Sequence, residues 1–446
     1  MNTVKTLVIR GSIEDRFLNR FFFHLVFIPW ISCIFLLYGQ SPNSNRNIAF
    51  ENAMIYNGEG FSKKNLYSIH GTISFIRPKE IDTTYNLKGH FLIPPFGDAH
   101  THNLDRDWQL RFLPKAYLDE GTFYVQNLTS KLDGTIKARP FFRSKNTPDV
   151  KFAHQGLTST LGHPFMAYEP FTMGLDYKDW QDNLDSIRKS RLDQNNSYIF
   201  IDELEEVDKK LEMYFANKPD IAKIFLINSE DHKETFNNEV MADNGLSIEV
   251  AEAVIEQLKN QELTIYAHIE STYDFDNGIA MGVDYFAHMP GYNWNGSEDE
   301  KSKYYVSDTL IKKAVDKGVG VIPTIGQALR LKSKDSITKR EFVKDFLKRF
   351  HHLGGNLIFG ADAFNQTMKG EIELLIDLEI FDQRTILELL TVTTPKAIFP
   401  DRKIGKLEEG YECSFLVLKR DPLEEIRSIL EVKFGVKQGV DLSLKN

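Results

Sequence analysis

The sequence predicts an α/β fold: a TIM-type (β/α)8 barrel with a small β-sandwich domain formed by both chain ends. Two observations lead to this prediction. In the middle of the chain, short apolar runs alternate with helical stretches, and near both ends similar runs are separated by turns alone. The length of 446 residues suits one barrel of about 250 residues or more together with a smaller domain.

Residues 1–40 have the pattern of a targeting segment rather than of a folded domain. Residues 21–37 are strongly apolar, and Arg16 and Arg20 precede them. This pattern is typical of a signal peptide, but an uncleaved membrane anchor is the alternative, because about 18 apolar residues can span a bilayer. We therefore expect an exported protein, periplasmic or secreted, that contacts a membrane only through this segment if the segment is retained.

The composition limits the partners and the kinds of metal site. The formal net charge is -9, from 54 basic and 63 acidic residues, which argues against nucleic acid as a partner. Cys33 and Cys413 are the two cysteines, so we expect neither a disulfide framework nor a cysteine metal site. Any metal must then be held by His, Lys, Asp or Glu. A small-molecule substrate is the expected partner, and the sequence leaves a homo-oligomer open.

Strand patterns at both chain ends predict one small β domain, formed by residues 48–92 and 403–446. The patterns are apolar runs broken by turns. These runs are residues 49–56, 67–69, 73–76, 414–418 and 432–436. Because the two ends supply strands and the middle interrupts them, residues 93–402 are assigned to the barrel.

Eight apolar runs predict the strands of that barrel. They are residues 91–93, 122–125, 150–153, 222–226, 263–267, 283–287, 319–322 and 356–359. Helical stretches fall between several of them, such as residues 250–259 and 309–317. Catalytic groups of such barrels lie at the carboxyl ends of the strands, so side chains that can bind metals should cluster where these runs end.

Polar residues of that kind do close four of the runs. The first run leads into the motif DAHTH, and in an extended chain His100 and His102 point the same way, about 6.6 Å apart. His268, His288 and Asp362 follow the fifth, sixth and eighth runs. Any one of them alone would more often be a core or loop residue, but their shared position at strand ends predicts a metal centre.

The fourth run, residues 222–226, contains Lys223 between apolar neighbours. Burial of an ammonium group is costly, so it lowers the pKa of the lysine and makes the neutral amine accessible. A neutral amine can add CO2 to give a carbamate, an anion able to bridge two metals. The alternative is an ordinary lysine that forms an ion pair or faces solvent.

Several motifs together resemble the metal-dependent amidohydrolase superfamily. They are PPFGDAHTH at 94–102, AH at 267–268, AHMPG at 287–291, GADA at 360–363, TTPKA at 393–397 and IGKLEEG at 404–410. A lysine in the fourth strand is similar to the imidazolonepropionase-like and prolidase-like branch. The resemblance covers nearly all of residues 48–441. Its departures, at Pro95, Gly97 and residues 412–415, affect no proposed ligand.

The resemblance implies a set of metal ligands and a reaction. The implied ligands are His100, His102 and Asp362 for one metal, His268 and His288 for the second, and a CO2-derived carbamate on Lys223 for both. They suit two divalent ions, zinc first. A hydroxide that bridges the metals would attack an amide-type C–N bond of a small substrate, such as a dipeptide or a cyclic amide. Asp362 would be the catalytic proton carrier.

Three further side chains near strand ends are candidates for substrate binding: His163, Tyr168 and Tyr273. Each is at least as typical of a structural loop residue, so the sequence leaves both interpretations open.

Two other functions fit parts of the pattern. In a mononuclear metal deaminase, Lys223 would be structural and Glu270, two residues after His268, would be the general acid. A non-catalytic barrel that acts as a binding protein is the third possibility, although the presence of all six ligands argues against it. Metal content separates the three functions: two equivalents for the hydrolase, one for the deaminase and none for the binding protein.

Overall fold

A computed structural model describes residues 46–330 and 336–443, which fall within one compact unit, Ser41–Asn446. The predicted signal or anchor segment, residues 1–40, lies outside the described residues, and its role stays a prediction. Within the described residues, no helix combines the length and the apolar character needed to cross a bilayer.

The strands of the described residues are numbered in chain order. They are β1 (Asn47–Tyr56), β2 (Phe61–Ile69), β3 (Thr72–Ser74), β4 (Thr83–Asn86), β5 (Phe91–Ile93), β6 (Phe96–Thr101), β7 (Thr122–Asn127), β8 (Asp149–Phe152), β9 (Gly156–Thr158), β10 (Tyr198–Phe200), β11 (Ala222–Phe225), β12 (Ile265–His268), β13 (Tyr285–Ala287), β14 (Gly320–Ile322), β15 (Phe415–Leu418), β16 (Phe434–Lys437) and β17 (Val440–Asp441).

Helices lie between most of the strands from β6 onward. They are α1 (Leu113–Asp119), α2 (Leu132–Ala138), α3 (Phe165–Thr172), α4 (Leu184–Lys189), α5 (Leu204–Ala216), α6 (His232–Asn237), α7 (Ile248–Asn260), α8 (Thr272–Met281), α9 (Lys301–Tyr304), α10 (Asp308–Asp316), α11 (Ile325–Arg330), α12 (Ser336–His352), α13 (Lys369–Asp377), α14 (Gln383–Glu388) and α15 (Thr394–Ile398). Single 3-10 turns include Gln109–Arg111 and Tyr177–Asp179.

Strands from both ends of the described chain share one mixed sheet. Its order is β17-β16-β15-β5-β1-β2-β3, and β4 also pairs with β1. The two ends meet in the antiparallel pair of β5 and β15, where Leu92 lies opposite Val417. Phe50 and Phe415 pack edge to face in the core of this sheet, with ring centroids 4.9 Å apart. The described strands form a single sheet here, so the predicted β sandwich stays a prediction.

The first predicted barrel strand is wrong. Residues 91–93 form β5 of the sheet built from the chain ends, whereas β6 is the strand that pairs in parallel with β7. Pro94 and Pro95 separate β5 from β6, because a proline offers no backbone N–H to a sheet ladder. The prolines thus divide one apolar run between two sheets, and β6, buried at every residue, carries His100.

Parallel strands form the rest of the β structure. β6, β7 and β8 make a three-stranded sheet, and a six-stranded sheet has the order β10-β9-β11-β12-β13-β14. The predicted third strand continues beyond β8 into β9, which belongs to the second sheet, and β10 is a parallel strand that the sequence patterns missed. Parallel neighbours point the same way, so the carboxyl ends of strands within a sheet share one edge.

The predicted eighth strand, residues 356–359, bonds to a strand of each parallel sheet. Leu357 forms a parallel bridge with Val321 of β14. On its other side, the carbonyl of Phe359 accepts a 2.8 Å hydrogen bond from the backbone N–H of Ala99 in β6. The segment therefore lies between the last strand of one sheet and the first strand of the other.

Gly360 allows this segment to approach β6 closely. A Cβ atom added at Gly360 would lie 2.3 Å from the backbone nitrogen of His100, closer than any side chain can be accommodated. Just beyond, the backbone N–H of Asp362 donates a 2.7 Å hydrogen bond to the carbonyl of His100. The glycine thus lets Asp362 lie beside the histidine motif.

Amphipathic helices cover the parallel strands, as α7 shows. Ser247 caps its N-terminus by accepting a hydrogen bond from the N–H of Val250. Val250, Val254 and Leu258 recur at helical spacing and are buried in the main core. The apolar side of α7 faces the strands, and the strands carry the side chains described next.

Candidate metal centre

Three predicted ligands converge where β6 meets the 356–362 segment. The Nε2 atoms of His100 and His102 are 3.2 Å apart. Asp362 Oδ1 lies 3.7 Å from His100 Nε2 and 3.2 Å from His102 Nε2. One donor atom from each of the three residues falls within 4.8 Å of the other two, so the three side chains can surround a single ion.

Asp98 connects the two chain segments that carry these ligands. Its Oδ1 accepts hydrogen bonds from the backbone N–H groups of His100 and Ala361, each 3.1 Å long. The hydroxyl of Tyr117 donates to its Oδ2 at 3.2 Å. Burial raises the pKa of Asp98 to about 7. The first residue of the DAHTH motif therefore holds β6 against the loop that carries Asp362.

His268 and His288 complete a cluster of four imidazoles. His268 is the last residue of β12, and His288 directly follows β13. The ring centroid of His288 lies 4.7 Å from that of His268 and 4.9 Å from that of His100. Asp362 Oδ2 is 3.8 Å from His288 Nε2. The carboxylate of Asp362 therefore faces both predicted groups of ligands, one oxygen towards each.

Hydrogen bonds determine which nitrogen two of the imidazoles present. Thr324 Oγ1 donates to the carbonyl of Pro323, so it accepts from His288 Nδ1, which is 2.6 Å away. The carbonyl of Thr129, which can only accept, is 3.1 Å from His102 Nδ1. Both rings thus carry their proton on Nδ1 and present an unprotonated Nε2, the form in which an imidazole binds a metal.

The charge state of the cluster also fits a metal. Burial, the largest cause, lowers the pKa of His100, His268 and His288 well below the usual range. The three rings are therefore neutral near pH 7, and the cluster offers several imidazole nitrogens and one carboxylate. Zinc and similar divalent ions take this donor set.

Lys223 extends from β11 and is completely buried. Its Nζ has no hydrogen-bond partner among the described residues and lies 5.4 Å from the ring centroid of Phe225. Burial lowers the pKa of Lys223 to about 7, while the carboxylate of Asp362 acts in the opposite direction. The strand lysine is thus buried, as the sequence predicts, and does not face solvent.

Three imidazoles of the cluster, Asp362 and Lys223 line a cavity of about 730 Å³, which two of the three predicted substrate-binding residues also line. His163 stacks on His268 with ring centroids 4.7 Å apart. The hydroxyl of Tyr168 donates to the carbonyl of Thr129 at 3.0 Å. Tyr273 is not brought to the cavity. It lies in the first turn of α8, whose other side is buried, and is 47% exposed.

Sequence reasoning missed Tyr292, a central side chain of the cavity. Its ring stacks on His288 with centroids 4.2 Å apart, and its hydroxyl is 3.2 Å from His268 Nε2. The same hydroxyl is 3.3 Å from a carboxylate oxygen of Glu270, whose pKa burial raises to about 7. The loop after β13 has no periodic pattern, so nearness to His288 in the chain was the only available signal.

No family model matches the chain, and no curated protein matches its sequence. Solved structures do match it. An amidohydrolase superposes with a TM-score of 0.67 at 15% identity, over 89% of this chain and 98% of its own. A Xaa-Pro dipeptidase with methionine bound in the active site superposes with a TM-score of 0.65 at 16% identity, over 89% of this chain and 99% of its own. Phenylurea hydrolase B superposes with a TM-score of 0.66 at 14% identity, over 89% of this chain and 96% of its own.

Identities this low establish the fold alone, a mixed α/β fold with parallel strands, as the sequence predicts in outline. The chain therefore shares its fold with solved structures that include an amidohydrolase and a Xaa-Pro dipeptidase.

Proposed function

We propose that the protein is a metal-dependent hydrolase that cleaves an amide-type C–N bond of a small substrate. The observation that carries the proposal is the amine of Lys223, which is fully buried and has no hydrogen-bond partner among the described residues. An unsatisfied buried polar group costs on the order of 1–3 kcal/mol. A chemical role for the amine at the metal centre accounts for that cost.

Carbamylation is the role that fits this amine. With its pKa lowered to about 7, Lys223 is substantially neutral near neutral pH, which is the nucleophilic form. Its Nζ bonds to the carbon of CO2 and releases one proton, which leaves a carboxylate with two donor oxygens. Those oxygens would help to hold the divalent ions. The remaining ligands would be His100, His102 and Asp362 for one ion, and His268 and His288 for the other.

Divalent ions bound here, with zinc the best match to the donors, supply Lewis-acid polarisation of a carbonyl and a lowered pKa for water. The protein's own groups do the rest. Asp362 accepts the proton of the attacking water and passes it to the leaving nitrogen. The hydroxyl bonded to His288 and the carbonyl bonded to His102 hold those two rings in register.

A closed (β/α)8 barrel is part of the proposal. The hydrogen bonds from residues 356–359 to β14 and to β6 support closure on one side. On the other side, β8 pairs with β7 of the three-stranded sheet. The strand β9 begins four residues after β8 ends and pairs with β11 of the six-stranded sheet, so the chain connects the two sheets there. Closure would place the proposed histidine and aspartate ligands at the carboxyl ends of barrel strands, where such barrels carry their chemistry, with Lys223 inside β11.

Substrates with a peptide or cyclic amide bond are the first classes to examine. The structural neighbours named above include a Xaa-Pro dipeptidase and a phenylurea hydrolase, and both names denote cleavage next to nitrogen. The cavity of about 730 Å³ has room for a dipeptide-sized molecule.

A mononuclear deaminase is the second candidate, and Glu270 is the observation that favours it. This buried carboxyl lies 3.8 Å from His268 Nε2, where a second proton carrier would be needed. In that function Lys223 would keep an unmodified amine.

Metal analysis of the purified full-length protein is the direct test. We expect close to two equivalents of divalent metal, mainly zinc, and hydrolysis of at least one member of a panel of dipeptides, cyclic amides and phenylureas. Chelation should abolish the hydrolysis and lower the Tm, because an ion that binds only the folded state stabilises it. One equivalent would move the deaminase ahead, and no metal with no turnover would favour a binding protein.

We also propose that the protein is exported, on the strength of the apolar residues 21–37. N-terminal sequencing of the protein isolated from expressing cells should begin near residue 40. Replacing two leucines of that stretch by arginine should retain the precursor in the cytoplasm. A soluble cytoplasmic protein that still starts at Met1 would contradict export.

A further inference from the structure

We propose that the substrate carries a free carboxylate and that Arg106 binds it; this inference rests on the hydrolase function proposed above. Arg106 lies four residues after His102 and lines the same cavity. Four residues span at most about 14 Å, so the Cα atom of Arg106 lies within that distance of the Cα atom of His102.

The guanidinium is held at the junction of two loops that begin at proposed ligands. It lies 4.8 Å from the ring centroid of Phe364, which is two residues beyond Asp362. A planar guanidinium stacked on an aromatic face keeps its row of N–H donors directed sideways. The loop after β6 and the loop after residues 356–359 thus fix the orientation of Arg106.

One donor of this fixed group lacks an acceptor. Arg106 Nη1 is buried and has no hydrogen-bond partner in the part of the chain that the structure describes. The neighbouring Asp105 accepts instead from the backbone N–H of Lys131, at 2.8 Å. A guanidinium stays protonated, so the missing partner must be a hydrogen-bond acceptor. A carboxylate matches the geometry of the guanidinium, because its two oxygens can accept two parallel N–H bonds.

The other positive side chains of the cavity wall have partners or roles. Lys131 is 3.1 Å from the carboxylate of Asp193 and donates to Thr172 as well. Lys223 belongs to the proposed metal centre. Among the described residues that line the cavity, Arg106 is therefore the cation left to attract an anionic group of the substrate.

Aromatic side chains around Arg106 indicate what accompanies the carboxylate. Trp108 lies 6.3 Å from Phe364 between ring centroids, and the two rings are 44% and 52% exposed. Phe171 and Trp180, 5.3 Å apart, line another part of the same cavity. An N-acylated amino acid or dipeptide with a large apolar group fits these walls, with its carboxylate at Arg106 and its amide towards the metal centre.

Two probes that differ only in charge test the proposal: N-benzoylglycine and N-benzoylglycinamide. We would measure their Kd on the metal-loaded full-length protein by calorimetry, and their hydrolysis in parallel. The wild type should bind the acid about 10- to 100-fold more tightly than the amide, because hydrogen bonds between charged groups contribute that much. Arg106→Gln should remove the preference. Arg111→Gln, an exposed arginine of the same loop, should retain it.

Arg106→Lys keeps the charge but loses the planar row of donors. This variant should retain a smaller preference for the acid over the amide. If Arg106→Gln does not fold, the binding ratio of Arg106→Lys tests the proposal instead. Equal binding of acid and amide by the wild type, or an unchanged ratio in both Arg106 variants, overturns the proposal. If Arg106→Gln loses the preference for the acid and neither probe is hydrolysed, Arg106 is supported as the carboxylate-binding residue. That result counts against a hydrolase function towards N-acylated amino acids.

Discussion

Lys223→Ala should lose at least one of two metal equivalents and nearly all turnover. Removing the amine removes the group that would become a carboxylate ligand, and the remaining four imidazoles and one carboxylate then offer a single negative charge to two dications. Metal-ion stabilisation of a transition state contributes several kcal/mol, and each 1.36 kcal/mol is a factor of ten in rate. We therefore expect kcat to fall by about 10³-fold or more, measured together with metal content by mass spectrometry.

Control variants distinguish the loss of the carbamate from the loss of side-chain packing. Lys223→Met fills the space without an amine and should be as inactive as alanine, and arginine should fail because it cannot form a carbamate. Formate or acetate should partly restore Lys223→Ala by occupying the bridging position, and bicarbonate should speed metal reconstitution of the wild type. Lys151→Ala, in β8 of the other parallel sheet, should keep both metals. Two metals and most activity in Lys223→Ala, with no bicarbonate effect, would exclude a carbamate on Lys223 as a ligand of the two metals.

Asp362→Asn should lower kcat by about 10³-fold or more, because it removes both a charged ligand and the proton carrier, and proton transfer alone contributes 10²–10⁴-fold. Asparagine suits this position. Asp362 has a φ of 45°, a left-handed conformation that Asn tolerates better than most residues. The backbone bonds to His100 and Gln327 do not depend on the carboxylate. The fold should therefore persist, and the circular dichroism spectrum should be unchanged.

Asp276→Asn is the matched control for this substitution. Asp276 forms an exposed ion pair with Lys313, and such pairs contribute about 1 kcal/mol or less. Steady-state kinetics and metal titration of both variants make the comparison. If Asp362→Asn retained more than a tenth of wild-type kcat with undiminished metal affinity, Asp362 would be neither ligand nor proton carrier.

The strand pattern explains why several residues of the candidate site could be predicted from the sequence. His100, His268 and Asp362 each end an apolar run, and parallel strands bring their ends to one edge whatever the loops do. Lys223 was identifiable for a related reason: β11 is buried on both faces, so every residue in it is inside.

The positions of residues in loops and in the first turns of helices could not be predicted in this way. Tyr273 was expected at the cavity, but the capping box at Ser271 and Asp274 starts a helix that turns it outward. Tyr292 and Arg106 lie in loops without periodicity, so their direction depends on contacts with residues distant in sequence. Pro94 and Pro95 look like one break in a strand, yet they mark the passage from one sheet to another.

The pairing of β5 with β15 has a consequence for biosynthesis. β5 gains its partner on one side from β1 nearby, but its other side stays open until residue 415 has been made, roughly 320 residues later. At about 5–20 residues per second, that interval lasts about 15–65 seconds. Throughout it, the nascent chain exposes a strand edge that can template pairing with another chain. The three-residue length of β5 keeps that edge short, which limits aggregation while the ribosome completes the partner.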